Sequence, residues 1–124
     1  MEALVSIRGA TSVKENTVKE IKSAVVQLLK EIIETNSVNT SKIVNIIFTS
    51  THDLNAIHPA KVAREELDLV STPMLCSQEM KVPDDLPRCI RLMMQVYTEK
   101  SKKTVKHIYL GEANKLRPDL NHET

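Results

Sequence analysis

Arg91 lies inside Cys89-Ile90-Arg91-Leu92-Met93-Met94-Gln95-Val96, a run that otherwise has the composition of a buried strand. A guanidinium does not shed its charge in a protein, so at such a position it needs an anionic partner or costs on the order of several kcal/mol of desolvation. Arg8 repeats the anomaly in Leu4-Val5-Ser6-Ile7-Arg8-Gly9-Ala10, beside a glycine that lets backbone or ligand approach closely. Either arginine alone is explained equally well by a structural ion pair with Glu79 or Asp53. The two together point to a pocket for a small organic acid. Alternation places Cys89, Arg91 and Met93 on one face of their strand. It places Val105, His107 and Tyr109 on one face of what reads as the neighbouring strand, so that Tyr109 can share an anion with an arginine. The commoner fate of a strand tyrosine is the core, with its hydroxyl satisfied there. Glu79 is an acid in a largely apolar stretch, Met74-Leu75-Cys76-Ser77-Gln78-Glu79-Met80, and can serve as general base, hydroxyl acceptor or counter-ion.

Other chemistries find little support. The histidines at 52, 58, 107 and 122 share no spacing with a metal motif, and no cysteine pair supplies a finger. Cys76 with a histidine can be written as a nucleophile pair, but a small buried cysteine is the better default. Gly9 and Gly111 are the only glycines, too few for a phosphate-cradling loop, and the lysines from Lys100 to Lys106 read as a solvated loop. Seventeen Lys+Arg against sixteen Asp+Glu give a net charge of +1, so no overall field recruits nucleic acid or an anionic membrane. Phe48, Tyr97 and Tyr109 are the only aromatics, which leaves almost nothing on which to stack single-stranded bases. The N-terminal stretch Met1-Glu2-Ala3-Leu4 has no basic region followed by a long apolar run, and no apolar stretch reaches a membrane-spanning length. A cytoplasmic location is expected, with Cys76 and Cys89 as thiols.

The 124 residues suffice for one domain with a real core but are few for a self-contained enclosed site, which makes oligomerisation plausible. The elements that must position the candidate residues follow from periodicity. Thr17-Val18-Lys19-Glu20 reads as a capping box opening a helix. Its apolar stripe is Val18, Ile21, Val25, Leu28 and Ile32, widened by Ala24, Leu29 and Ile33, through about residue 35. Ile43 to Ser50 is a β-branched run expected as a central strand buried on both faces. Pro59 opens a short helix to about Leu67, and Pro73 to Gln78 is a strand that its proline limits to a start or an edge. Lys81 to Pro87 is a loop leading to the Arg91 strand, and Val105 to Leu110 is a last short strand. The order is βαβαβββ-like and mixed in direction, an α+β fold spanning 1–124 as one domain, with a polar tail from about 116 expected to be mobile.

The segments Ile7-Arg8-Gly9-Ala10-Thr11, Pro59-Ala60-Lys61-Val62-Ala63-Arg64, Cys76-Ser77-Gln78-Glu79-Met80, Cys89-Ile90-Arg91-Leu92-Met93-Met94 and His107-Ile108-Tyr109-Leu110, with Leu116-Arg117-Pro118-Asp119-Leu120, closely resemble the bacterial monofunctional chorismate mutases of the AroH class. The resemblance runs through nearly the whole chain in the family's order and spacing. It implies a homotrimer of mixed αβ subunits arranged as a pseudo-α/β-barrel, with sites at subunit interfaces and no cofactor. It also implies the Claisen rearrangement of chorismate to prephenate in phenylalanine and tyrosine biosynthesis. Carried onto this chain, Arg91 would hold the ether oxygen and a carboxylate, Arg8 and Tyr109 the enolpyruvyl carboxylate, and Glu79, assisted by Cys76, the ring hydroxyl. Ala60, Lys61, Arg64, Met74, Leu75 and Leu116 would line or close the pocket, with Arg64 and Arg117 attracting the dianion. Two departures stand out: His58 replaces a common aromatic, and Leu75 a hydroxyl residue, changes that bear on affinity or pocket polarity. Two rival readings share the architecture: an imine or enamine deaminase, which activates water, and a non-catalytic aromatic-acid sensor.

Overall fold

The computed structural model describes residues 1–116. Five strands form one mixed sheet, β1 (Ala3–Ser12), β2 (Ile43–Ser50), β3 (Met74–Gln78), β4 (Cys89–Thr98) and β5 (Ile108–Tyr109), ordered β3-β2-β4-β1-β5. β4 runs antiparallel to both β1 and β2, whereas β3 is parallel to β2 and β5 to β1. Helix α1 (Val18–Thr35) connects β1 to β2, and α2 (Pro59–Glu66) makes the crossover that the parallel β2–β3 pairing requires.

Helix α1 starts where the sequence places it. The Thr17 hydroxyl accepts from the Glu20 backbone N–H at 3.1 Å. The return half of the box is diverted, because Glu20 Oε1 accepts instead from the Lys14 N–H at 3.4 Å. Ile21, Ala24, Val25, Leu28, Leu29 and Ile32 are buried against Val5, Ile7, Ile46, Phe48, Ile90, Leu92, Met94 and Val96 of the sheet, while Val18 is exposed at the first turn. Gly9 owes its small size to this contact. A Cβ there would stand 2.7 Å from Ile32 Cδ1 and 3.2 Å from Leu28 Cδ1, so it is the helix that comes close on that side.

Both helices cover one face of the sheet. Along β2, Ile43, Ile46 and Phe48 are buried, while Val44 and Ile47 are exposed and Thr49 is half-buried. The strand is therefore one-sided, not buried on both faces, and the central position belongs to β4. The other face carries Leu4, Ile47, Leu75, Met93 and Tyr97, all exposed, an apolar surface on an otherwise finished domain. The strand expected over 105–110 shortens to Ile108–Tyr109, and it lies beside β1, not beside the Arg91 strand. The cause is Asn36 at the end of α1. Its buried amide donates to the Ile32 and Lys106 carbonyl oxygens at 3.0 and 2.9 Å, and its oxygen accepts from the Lys106 N–H at 2.7 Å. The groups of Lys106 that a strand ladder would use are thereby taken. No helix among the described residues is long and apolar enough to cross a membrane.

Candidate active site

Register and alternation together decide where the arginines point. Thr49, Arg91, Ala10 and Tyr109 form one row across β2, β4, β1 and β5, since Arg91 opposes both Thr49 and Ala10 and Ala10 opposes Tyr109. Arg8 lies two residues along β1 from Ala10, opposite Met93, and so shares that face. Both guanidiniums therefore leave the core on the face opposite the helices, and each is half-buried. The anomaly read from the sequence is thus resolved by direction. The arginines interrupt apolar strands because their positions belong to the uncovered face.

Arg8, Gly9, Ala10, Ile47, Thr49, Arg91, Leu92, Met93 and Tyr109 line one cavity of about 270 Å³. Glu79, just beyond β3, does not line the cavity but grips two residues that do, with Oε2 accepting from the Thr49 hydroxyl at 2.7 Å and lying 3.1 Å from Arg91 Nε. The second contact is an ion pair and not a directed hydrogen bond, for the buried Arg91 Nε has no hydrogen-bond partner among the described residues. Arg8 has no acidic partner among the described residues, and its backbone N–H donates to His107 Nδ1 at 2.9 Å. Tyr109 is buried among Ala10, Cys89, Ala113 and Leu116, and its hydroxyl has no partner among the described residues. Two guanidiniums, one carboxylate and an orphaned hydroxyl leave the cavity with surplus positive charge and unspent donors, the complement of an anionic ligand.

The other expected pocket residues fall elsewhere in the chain. Cys76 opposes Phe48 and so sits on the helix-side face of β3, turned away from Arg91. With His58 and Lys61 it lines a separate hollow of about 430 Å³ beside α2. Ala60 is half-buried and Arg64 exposed on the same helix, and Met74 packs on the main core. Leu75 is exposed on the arginine face, and Leu116 closes over the Tyr109 cluster. Arg117 and the tail beyond it lie outside the described residues. Nothing in the sequence singles out Thr49, since a threonine in a β-branched run reads as packing, yet its parity opposite Ile46 and Phe48 marks it for the arginine face. A larger hollow, about 820 Å³, opens on the far side of Glu79 under the 80–87 loop. Asp53, Asp84 and Asp85 outweigh Lys81 along its wall, which makes it the wrong sign for an anion. Among the described residues no cluster of three or more His, Cys, Asp or Glu side chains is arranged to hold a metal ion.

Cys89, two residues before Arg91 on the same face of β4, has zero exposure, and burial before all else pushes its thiol from 9.0 up to about 11, with Arg91 opposing and Glu79 adding to the shift. The folded state thus holds this proton more tightly than the unfolded chain. Stability is unaffected below the unfolded value of 9.0 and is expected to fall as pH rises towards 11. The loss at the upper end is about 2 to 3 kcal/mol. Urea unfolding at pH 8 and pH 11 checks this: Cys89→Ala should show a smaller pH-dependent loss than the parent, and equal losses would refute the assignment.

A sheet face opposite the helices that bears two arginines and a tyrosine, with a carboxylate at its edge, marks an α+β domain suited to binding a small organic anion. The family model for chorismate mutase type I matches residues 4–120. The chain is 42% identical over 115 residues to the chorismate mutase AroH of Bacillus subtilis (strain 168), covering 93% of this chain and 91% of that protein. It is 39% identical over 115 residues to the chorismate mutase AroH of Thermus thermophilus, covering 92% and 93%. A chorismate mutase structure from Clostridium thermocellum superposes with a TM-score of 0.86 at 46% identity, covering 89% of this chain and 97% of that one. The chain belongs to the type I chorismate mutase family.

Proposed function

We propose that the protein is an isomerase that converts chorismate to prephenate, on the route to phenylalanine and tyrosine, and that it works in the cytoplasm as a homotrimer without a cofactor. The observation that carries this reading is the convergence of Arg8, Arg91 and Tyr109 on one cavity, with Glu79 paired to Arg91 at its edge, in a chain of this family. Chorismate is a dicarboxylate with a ring hydroxyl, and its rearrangement breaks a C–O bond while it forms a C–C bond in one unimolecular step. No nucleophile and no proton transfer are required. What a protein can supply is a folded substrate conformation and fixed positive charge where the ether oxygen becomes electron-rich. Arg91 takes the ether oxygen and a carboxylate, Arg8 and Tyr109 hold the enolpyruvyl carboxylate over the ring, and Glu79 accepts from the ring hydroxyl.

Two features support assembly. The cavity of about 270 Å³ is small for an organic ligand, as pockets usually run from about 300 to 1,000 Å³, so a second wall is wanted. The uncovered apolar face of Leu4, Ile47, Leu75, Met93 and Tyr97 is where a copy of the chain can bring that wall. His58, Lys61 and Cys76, gathered in their own hollow, are the complementary half. Incubating purified protein with chorismate in buffer containing a chelator tests the activity. Loss of chorismate absorbance with equimolar prephenate is expected, whereas binding without turnover would make this an aromatic-acid sensor.

A further inference from the structure

We infer that Thr49 is a positioning residue that holds the Glu79 carboxylate off a two-pronged pairing with Arg91, keeping the guanidinium's other donors available to the substrate and one glutamate oxygen free for the ring hydroxyl. The inference rests on the chorismate reading of this site. Thr49 and Arg91 are directly opposed on β2 and β4, which brings the hydroxyl and the guanidinium to the same carboxylate. The threonine hydroxyl donates to Glu79 Oε2 at 2.7 Å, and Arg91 Nε stands 3.1 Å from that same oxygen without making a directed bond. The glutamate backbone is pinned as well. Its N–H donates to the Ser50 carbonyl at 2.9 Å, and its carbonyl oxygen meets His52 Nε2 at 3.0 Å. Oε1 makes no hydrogen bond among the described residues.

A carboxylate next to a guanidinium ordinarily prefers the two-pronged planar pairing, which would spend the arginine's donors on the protein itself. Here the hydroxyl competes for one oxygen and holds the carboxyl group off that geometry. Removing the hydroxyl releases Glu79 to rotate onto Arg91. The same motion weakens the transition-state charge and withdraws the acceptor for the ring hydroxyl.

Thr49→Val keeps the volume and the β-branch and loses only the donor, while Thr49→Ser keeps the donor. With chorismate, Thr49→Val is expected to lower kcat/KM about tenfold, mainly through kcat, and Thr49→Ser to stay within about threefold of the parent. The decisive comparison uses a chorismate analogue whose ring hydroxyl is replaced by hydrogen. The preference for chorismate over this analogue should shrink severalfold in Thr49→Val. Equal slowing of both compounds, or a serine variant no better than valine, would assign Thr49 a merely structural role and overturn the inference. The Arg91 Nε–H resonance gives a substrate-free reading: a downfield move and slower solvent exchange in Thr49→Val are expected, and an unchanged signal overturns the proposal. Should the parent protein leave chorismate untouched, the function assigned to the site falls, and this resonance still decides the carboxylate's orientation.

Discussion

Replacing Arg91 with alanine is expected to lower kcat at least about 10²-fold while KM changes much less, the pattern of a group whose interaction grows as the reaction proceeds. The ether oxygen is nearly neutral in bound chorismate and gains negative charge as its bond to the ring breaks. A fixed guanidinium there stabilises the transition state more than the ground state. Arg91 suits this because its ion pair with Glu79 runs through the buried Nε alone and is undirected, so no two-pronged pair occupies the guanidinium's other donors. Arg8 gives the contrast. A carboxylate contact exists in both states, so Arg8→Ala should place more of its loss in KM. Steady-state kinetics of the two variants separates the roles, and near-normal kcat in Arg91→Ala would move the catalytic charge elsewhere.

The second large effect concerns the proposed division of the site between copies of the chain. Arg91→Ala leaves the Cys76 hollow intact, and Cys76→Trp fills that hollow while leaving the arginine cavity intact, at an exposed position that the subunit's own packing tolerates. Each variant alone is expected to retain on the order of one percent of the activity. Mixed under dissociating conditions and reassembled, they should recover towards about a quarter of wild-type activity, because in a cyclic trimer random mixing joins two sound halves at about one site in four. A mixture no more active than its parents would show that both halves of each site come from one chain, and sedimentation of the same samples reports whether the assembly is trimeric.

Much of this arrangement was legible in the residues. Two charged interruptions of apolar strands announced an anion, and period-two alternation placed Arg91 with Met93 correctly. The proline at 59 located α2, and the threonine at 17 located the start of α1. Resemblance, not periodicity, then named the reaction. What could not be read has physical causes. A strand whose outer face is apolar looks the same whether its own chain or another copy covers that face, so β2 read as buried on both sides. The stretch before Tyr109 read as strand because the side chain that claims the Lys106 backbone, Asn36, is 70 residues away in sequence. Cys76 is paired with Glu79 only by the resemblance, and within one chain the pleat sends the cysteine to the opposite face. Thr49 read as a β-former, since a hydroxyl's partner cannot be seen from its own strand.

The central claim is that fixed charge and positioning accelerate a reaction in which no proton moves, and the solvent deuterium isotope effect on kcat tests it most directly when measured across pH. Arginine stays charged throughout, and no side chain must cycle between protonation states. The expected result is a kcat nearly constant from about pH 6 to 9 with an isotope effect close to unity. A bell-shaped profile with a large solvent effect on the chemical step, as a water-activating deaminase gives, would contradict the account even if chorismate were consumed.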